Sequence, residues 1–373
     1  MRFLNQGLAQ EIVNRTMKII NRNINVMNEK GIIIGSGDKK RIDTIHEGAV
    51  RVIENKSGFE IEEAEAKLLH GVKAGINLPI TFRDHVVGVI GITGAPDEIR
   101  NYGELVKMAA EMILQQAVLV EEMQWDERLK EELISQLLQG TDKLTPFYFE
   151  RVERLGINLD IPRVVILLSV ENQSNAYKYI QEKLEKDDLY VMHPDHIVLL
   201  KKVHIKEYEW DYSRTLHRLE KWMLGLKSQQ QNRLKVVMGD YHAGLDGVSK
   251  SYQDAVDTSK VGEKLHPDKT IYFYQDYKLP VFLARANQLG IAEDIGPYFA
   301  QLQHHDKKGE LLETLMSYVE ENGDINKVAG RLFIHRNTLR YRLERITEIT
   351  DKDPRKVKDL LELYLSILQH QVK

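Results

Sequence analysis

Apolar positions along the chain change period several times, and these changes divide it into stretches of helix and strand. Over Leu8–Ile20 apolar residues recur every three or four positions, which predicts an amphipathic helix. From Asn23 to Ser36 alternation takes over around the turn sequence Asn28-Glu29-Lys30-Gly31, so a hairpin is expected. Residues Ile61–Val72 read as a second helix. Gly75–Phe82 and Val86–Thr93 read as a second hairpin closed by Arg83-Asp84-His85. That order fits a mixed α/β unit on an antiparallel sheet. Between Asn101 and Gln139 there is no proline and no glycine after Gly103, so one long helix is expected. Val106, Ile113, Val120, Met123, Ile134 and Leu137 form a seam in it, interrupted by Gln116, Glu127 and Lys130. Such a helix either connects domains, pairing with its copy in a dimer, or is an ordinary amphipathic helix.

The period-2 signal returns between Thr145 and Tyr277. Strands are expected at Arg163–Val170, Leu189–His193, His196–Lys201, Lys235–Gly239 and Ile271–Tyr274, with helices at Ala176–Glu185, Tyr212–Leu224 and Leu245–Gly262. The βαββαβ order implies a ferredoxin-like sheet with an appended helix and strand. Pro280 then opens a helical tail with patterns at Val281–Leu289, Gly309–Glu321 and Val357–Gln371.

Within that tail, Asp324–Ile346 holds two short helical patterns either side of a tight break. Val328, Ala329 and Leu332 mark an apolar face on the first, and Leu339, Leu343 and Ile346 on the second. Asn337, Tyr341 and Glu344 fall opposite that stripe, with Thr338 and Arg340 on its flanks. The segment carries a net charge of +4, although the whole chain, with 52 basic and 56 acidic residues, is slightly acidic. A basic face on one small trihelical unit suits directed contact with double-stranded DNA; a solvated helical hairpin is the plainer alternative.

Composition narrows the field. The 373 residues suffice for two or three domains. Cysteine is absent, which excludes disulfides, thiolate zinc sites and a cysteine nucleophile. The start, MRFLNQGLAQEIVNR, lacks a signal-peptide pattern, and no window approaches 18 apolar residues, so a soluble cytoplasmic protein without a membrane partner is expected. Gly35-Ser36-Gly37 lacks the third glycine of a dinucleotide fingerprint, and no H-E-x-x-H occurs. No catalytic residue, metal ligand or cofactor is assigned.

The stretch LFIHRNTLRYRLERI resembles the helix-turn-helix signature of PucR-type transcription regulators. AQEIVNRTMKIINRNINVMNEKGIIIGSGDKKRIDTIHEGA, with GINLPITF and VVGVIGITG, resembles the sugar-diacid recognition domain of the carbohydrate diacid regulator family. The middle segment resembles that family's degenerate GGDEF-like domain. Where active diguanylate cyclases carry their glycines and acids, this chain has His193-Pro194-Asp195-His196, so cyclase activity is not expected. The resemblance implies a multidomain α/β plus all-α protein. Its parts would be a PAS/Cache-like sensor (1–120), a connecting helix (121–144), a ferredoxin-like degenerate GGDEF domain (145–277) and a helix-turn-helix domain (281–373). It further implies an activator of sugar-diacid or glycerate genes, a homodimer or higher homo-oligomer, with effectors such as glucarate, galactarate or glycerate. The rival readings are a cyclase-related enzyme and a sensor acting through protein partners alone.

Site residues follow from chemistry. Asn337 suits a two-point contact with adenine and Arg340 a fork onto guanine, with Thr338 and Tyr341 beside them and Arg331 and Arg336 on phosphate. Arg342, nearer the buried stripe, suits an internal salt bridge equally well. For the carboxylic acid effector, Arg41 and His46 come first, with Lys73 and Asn77 second, because a carboxylate needs converging cations and donors. Gly330 stands inside the first short helix, where the family commonly repeats alanine, at a cost of roughly 1 kcal/mol.

Overall fold

The computed structural model describes residues 4–70, 72–170, 180–207, 209–229, 234–291 and 295–373. The chain forms two compact units, Met1–Leu129 and Lys130–Lys373.

In the first unit, Asn5 caps helix α1 (Gln6–Ile20) by accepting from Leu8 N at 2.9 Å. Strands β1 (Ile24–Asn28), β2 (Ile33–Ser36), β3 (Phe59–Ile61), β4 (Gly75–Phe82) and β5 (His85–Thr93) follow. They form one antiparallel sheet in the order β2-β1-β5-β4-β3. Alternation sends Ile24, Val26, Ile76, Leu78, Ile80, Ile90 and Ile92 to one face, where they pack with Ile12 and Val13 of α1. Val106, Ala110, Leu114 and Val118 join the same core from α4 (Pro96–Leu138), a single helix of 43 residues. The opposite face places Met27, Ile33 and Val89 under Ala49 and Val52 of α2 (Glu47–Asn55).

Two expectations for this unit need correction. Residues Ile61–Val72 are not one helix: Phe59–Ile61 pairs with β4, and among the described residues of that stretch only α3 (Glu63–Ala66) is helical. Edge pairing with Gly75–Asn77 wins over the local helix propensity of the Glu and Ala residues. The residues of the expected long seam also diverge: Val106 packs on the sheet, Ile134 and Leu137 belong to the second unit's core, and Val120 and Met123 are exposed.

The second unit contains the end of α4, then α5 (Pro146–Arg154) and strands β6 (Arg163–Ser169), β7 (Leu189–Met192) and β8 (Ile197–Lys202). A small hairpin, β9 (Ile205–Lys206) and β10 (Glu209–Trp210), leads to α6 (Tyr212–Gln229), β11 (Lys235–Met238), α7 (Gly247–Leu265) and β12 (Ile271–Phe273). The sheet runs β12-β11-β6-β8-β7, with β12 parallel to β11 and the other pairs antiparallel. This is the ferredoxin-like order with one strand appended. The expected helix Ala176–Glu185 falls partly outside the described residues; 180–183 are helical. Val165 and Leu167 face one core while Val164, Ile166 and Leu168 face the other, so the sheet is covered on both sides.

Helix α8 (Tyr274–Gln288) contains Pro280, which therefore does not open the tail. Proline forfeits one helical hydrogen bond, but Tyr277, Val281 and Leu283 are buried with Val261 of α7 and hold the helix through it. Arg285 adds ion pairs to Asp254 (2.8 Å) and Asp257 (2.7 Å) of α7. The tail continues with α9 (Tyr298–His305), which the periodicity did not suggest, then α10 (Glu310–Glu320), α11 (Ile325–Arg331), α12 (Arg336–Thr350) and α13 (Val357–Val372). Helix α13 joins two cores: Leu368 and Val372 pack with α7 and α8, and Leu363 and Ile367 with the helix-turn-helix.

Candidate functional site

The trihelical unit owes its shape to a continuous core: Leu311, Leu315 and Tyr318 of α10, Val328 and Ala329 of α11, and Leu339, Leu343 and Ile346 of α12. Asp324 starts α11 by accepting from Asn326 N (3.0 Å) and Lys327 N (3.2 Å). Phe333 makes the turn with φ +53° and leaves its ring 95 % exposed. His335, in the break between the two short helices, caps α12 by accepting from Asn337 N at 3.3 Å. Its place four residues before Leu339, where the apolar stripe begins, was the available signal.

Arg336, Asn337, Thr338, Arg340 and Tyr341 are all exposed on the first turns of α12. Among the described residues neither Arg336 nor Arg340 forms an ion pair, so both guanidinium groups face solvent. Arg331 differs: it pairs with Glu320 and, at 3.1 Å, with Glu321. Binding phosphate there means exchanging carboxylate partners. Arg342 is 14 % exposed in its side chain and bonds Glu310 (3.1 Å) and Thr314 (3.3 Å), an internal brace.

The second cluster lies where α2 meets the sheet. Register aligns Ser36, Asn25, Gly91, Asn77 and Phe59 in one row across all five strands. Ser36 Oγ donates to Asn25 Oδ1 at 2.6 Å. Asn77, 2 % exposed, makes no side-chain hydrogen bond among the described residues. A Cβ on Gly91 would meet its Oδ1 at 2.8 Å, so glycine there leaves the amide its space. His46 caps α2, its Nδ1 accepting from Ala49 N at 3.2 Å. A Cβ on Gly48 would lie 3.1 Å from His46 Cε1 and 3.2 Å from Asn77 Nδ2, so ring and amide sit side by side at the start of α2. Burial and the Arg41 charge push His46 down to about 4, leaving it neutral with its proton on Nε2. Burial also lowers Arg41. Lys73 is elsewhere: it lines an open cleft of about 800 Å³ with Glu60, Lys67, Thr93, Asp97 and Arg100, where Arg100 holds Glu60 through two 2.8 Å bonds.

In the central domain the β7–β8 turn is His193-Pro194-Asp195-His196, its two imidazole rings stacked 5.0 Å apart. The turn contains no glycine and one acid.

A carbohydrate diacid regulator of Escherichia coli (strain K12) is 38 % identical over 98 % of this chain and 97 % of its own. The chain belongs to the carbohydrate diacid regulator family. Family models agree in three places: sugar diacid recognition over residues 4–137, a GGDEF-like domain over 141–261, and the PucR C-terminal helix-turn-helix domain over 311–368. Shorter matches reach two Bacillus subtilis (strain 168) proteins. The DNA-binding transcriptional activator AdeR is 27 % identical over 41 % of this chain and 38 % of its own, and the proline-responsive transcriptional activator PutR is 29 % identical over 35 % and 33 %. As a member of this family, the chain carries a PucR-type DNA-binding helix-turn-helix domain, which includes α11 and α12. No helix among its described residues is long and apolar enough to cross a membrane.

Proposed function

We propose that this chain is a homodimeric, effector-responsive activator that binds operator DNA through α12 and a small carboxylic acid through its N-terminal unit. It would work in the cytoplasm on genes for sugar-diacid or glycerate use. The observation that carries the DNA half is the exposed, unpaired face of Arg336, Asn337, Thr338, Arg340 and Tyr341, next to Arg342, which the fold consumes internally. Asn337 and Arg340 read bases, Arg336 holds phosphate, and Arg331 joins it on release from Glu320 and Glu321.

The sheet order β2-β1-β5-β4-β3 supports a PAS/Cache-type sensor, and the buried, unpartnered Asn77 beside His46 supports an acid site there. Arg41 would supply the charge, Asn77 and the His46 Nε2–H the neutral donors for hydroxyl or carboxylate oxygens. Lys73, in its separate cleft, is outside that set. The central domain acts as scaffold, and 1–120, 121–144, 145–277 and 281–373 serve as working limits of the four parts.

One experiment addresses both halves. Arg340→Ala should lower operator affinity at least tenfold in a gel-shift titration, with an unchanged circular dichroism melt. Arg41→Ala and Asn77→Ala should leave DNA binding by effector-free protein intact and weaken calorimetric binding of the acid that answers among glucarate, galactarate and glycerate. Wild-type operator affinity in the first variant, or wild-type acid affinity in the other two, overturns the corresponding half.

A further inference from the structure

Helix α4 is apolar on two opposite faces. Val106, Ala110, Leu114 and Val118 pack on the sheet. On the other side Leu105, Met112, Leu119 and Met123 are exposed by 57, 62, 58 and 64 %. A helix hydrophobic all round is normally buried all round. With Ala109 and Gln116, these residues follow four- and three-residue steps without a break: 105, 109, 112, 116, 119, 123. That is heptad spacing, with a single polar residue at its middle. No charged side chain interrupts the stripe. Its flanks, Met108, Ile113, Gln115 and Val120, are uncharged, and Glu122 is held by Arg83 at 2.9 Å.

We infer that this stripe is where a second copy of the chain docks, α4 against α4 in parallel. The inference rests on the homodimer of the proposed function and names its contact. Gln116 decides the direction. Antiparallel pairing centred on the stripe sets Gln116 against Met112 and leaves a buried amide facing a thioether, whereas parallel pairing sets Gln116 against its own copy, amide to amide. A stable pair needs roughly 800 Å² per partner, and large apolar side chains spread over about 27 Å of helix supply most of it. Each helix is already anchored on its sheet, where Thr81 N and Oγ1 donate to Glu111 Oε1 at 2.8 and 2.6 Å. Association therefore costs little further ordering.

The test uses the full chain in analytical ultracentrifugation from 0.1 to about 50 µM, the micromolar range in which weak dimers dissociate. Wild type should sediment as a dimer and Leu119→Glu should shift its dissociation constant at least a hundredfold towards monomer. Because Leu119 lies outside the core, an unchanged melt should accompany that shift. The chain has no cysteine, so Gln116→Cys alone should form a disulfide-linked dimer on mild oxidation, and Glu121→Cys, off the stripe, should not. A dimer undisturbed in Leu119→Glu, or cross-linking at position 121 but not 116, overturns this interface and leaves the proposed dimer standing. A monomeric wild type, with the stripe covered by another part of the same chain, overturns both.

Discussion

Under the proposed function His46 would serve the fold and a ligand together. Its Nδ1 holds the first turn of α2, which requires that nitrogen to be unprotonated, and the ring is 3 % exposed beside the Arg41 charge. Its folded value of about 4 lies below the ordinary 6.5. Between those two limits the unfolded chain binds more protons than the folded one. The stability contributed by the neutral ring is complete above pH 6.5 and is lost as pH falls through the window, roughly 3 kcal/mol at its foot. Thermal melts at pH 7 and pH 4.5 should show this loss in wild type, and a smaller one in His46→Asn, which keeps an N-cap acceptor but cannot titrate. Equal losses in the two proteins would show that His46 is not the group responsible.

At the scale of elements, α11 holds a second such test. Gly330 has ordinary helical backbone, is exposed, and has nothing within 4 Å of an added Cβ. Gly330→Ala should therefore stabilise α11 by roughly 0.5–1 kcal/mol, seen as slower amide hydrogen exchange in Val328–Leu332. Unchanged or faster exchange would mean that glycine is required there for another reason. Helices α1 and α12 are legible in the sequence because each buries one regular face, and β4 and β5 because each is an apolar run bounded by turn residues. Helix α2 is not, because Gly48 and its valines give it weak propensity; the packing of Ala49 and Val52 onto Met27 and Val89 holds it. The candidate acid site divides the same way. Arg41 and His46 are five residues apart and visible together, whereas Asn77 joins His46 only through the sheet register that the sequence does not display. Lys73 looked close in sequence to Asn77 but precedes β4 and opens into another cleft.

At the scale of the whole molecule, the proposed function requires that an acid bound near Asn77 alter DNA binding by α12. Asn77 and Thr81 lie on the same strand, β4, and Thr81 grips Glu111 of α4 with both its backbone N–H and its hydroxyl. Helix α4 is continuous from Pro96 to Leu138, so a shift of β4 against it has an unbroken element to act on. If that is the route, effector and operator are linked reciprocally: the factor by which the acid changes operator affinity equals the factor by which operator changes acid affinity, typically about 5–150-fold. Thr81→Val removes the hydroxyl donor while keeping the strand's shape and β propensity. It should move that factor towards one, measured by fluorescence anisotropy of labelled operator DNA with and without saturating acid, while leaving effector-free operator affinity within about twofold, since α12 is untouched. A wild-type factor in Thr81→Val would rule out the Thr81–Glu111 hydroxyl bond as the link. Loss of operator affinity without the acid would instead show that the bond supports the fold rather than the signal.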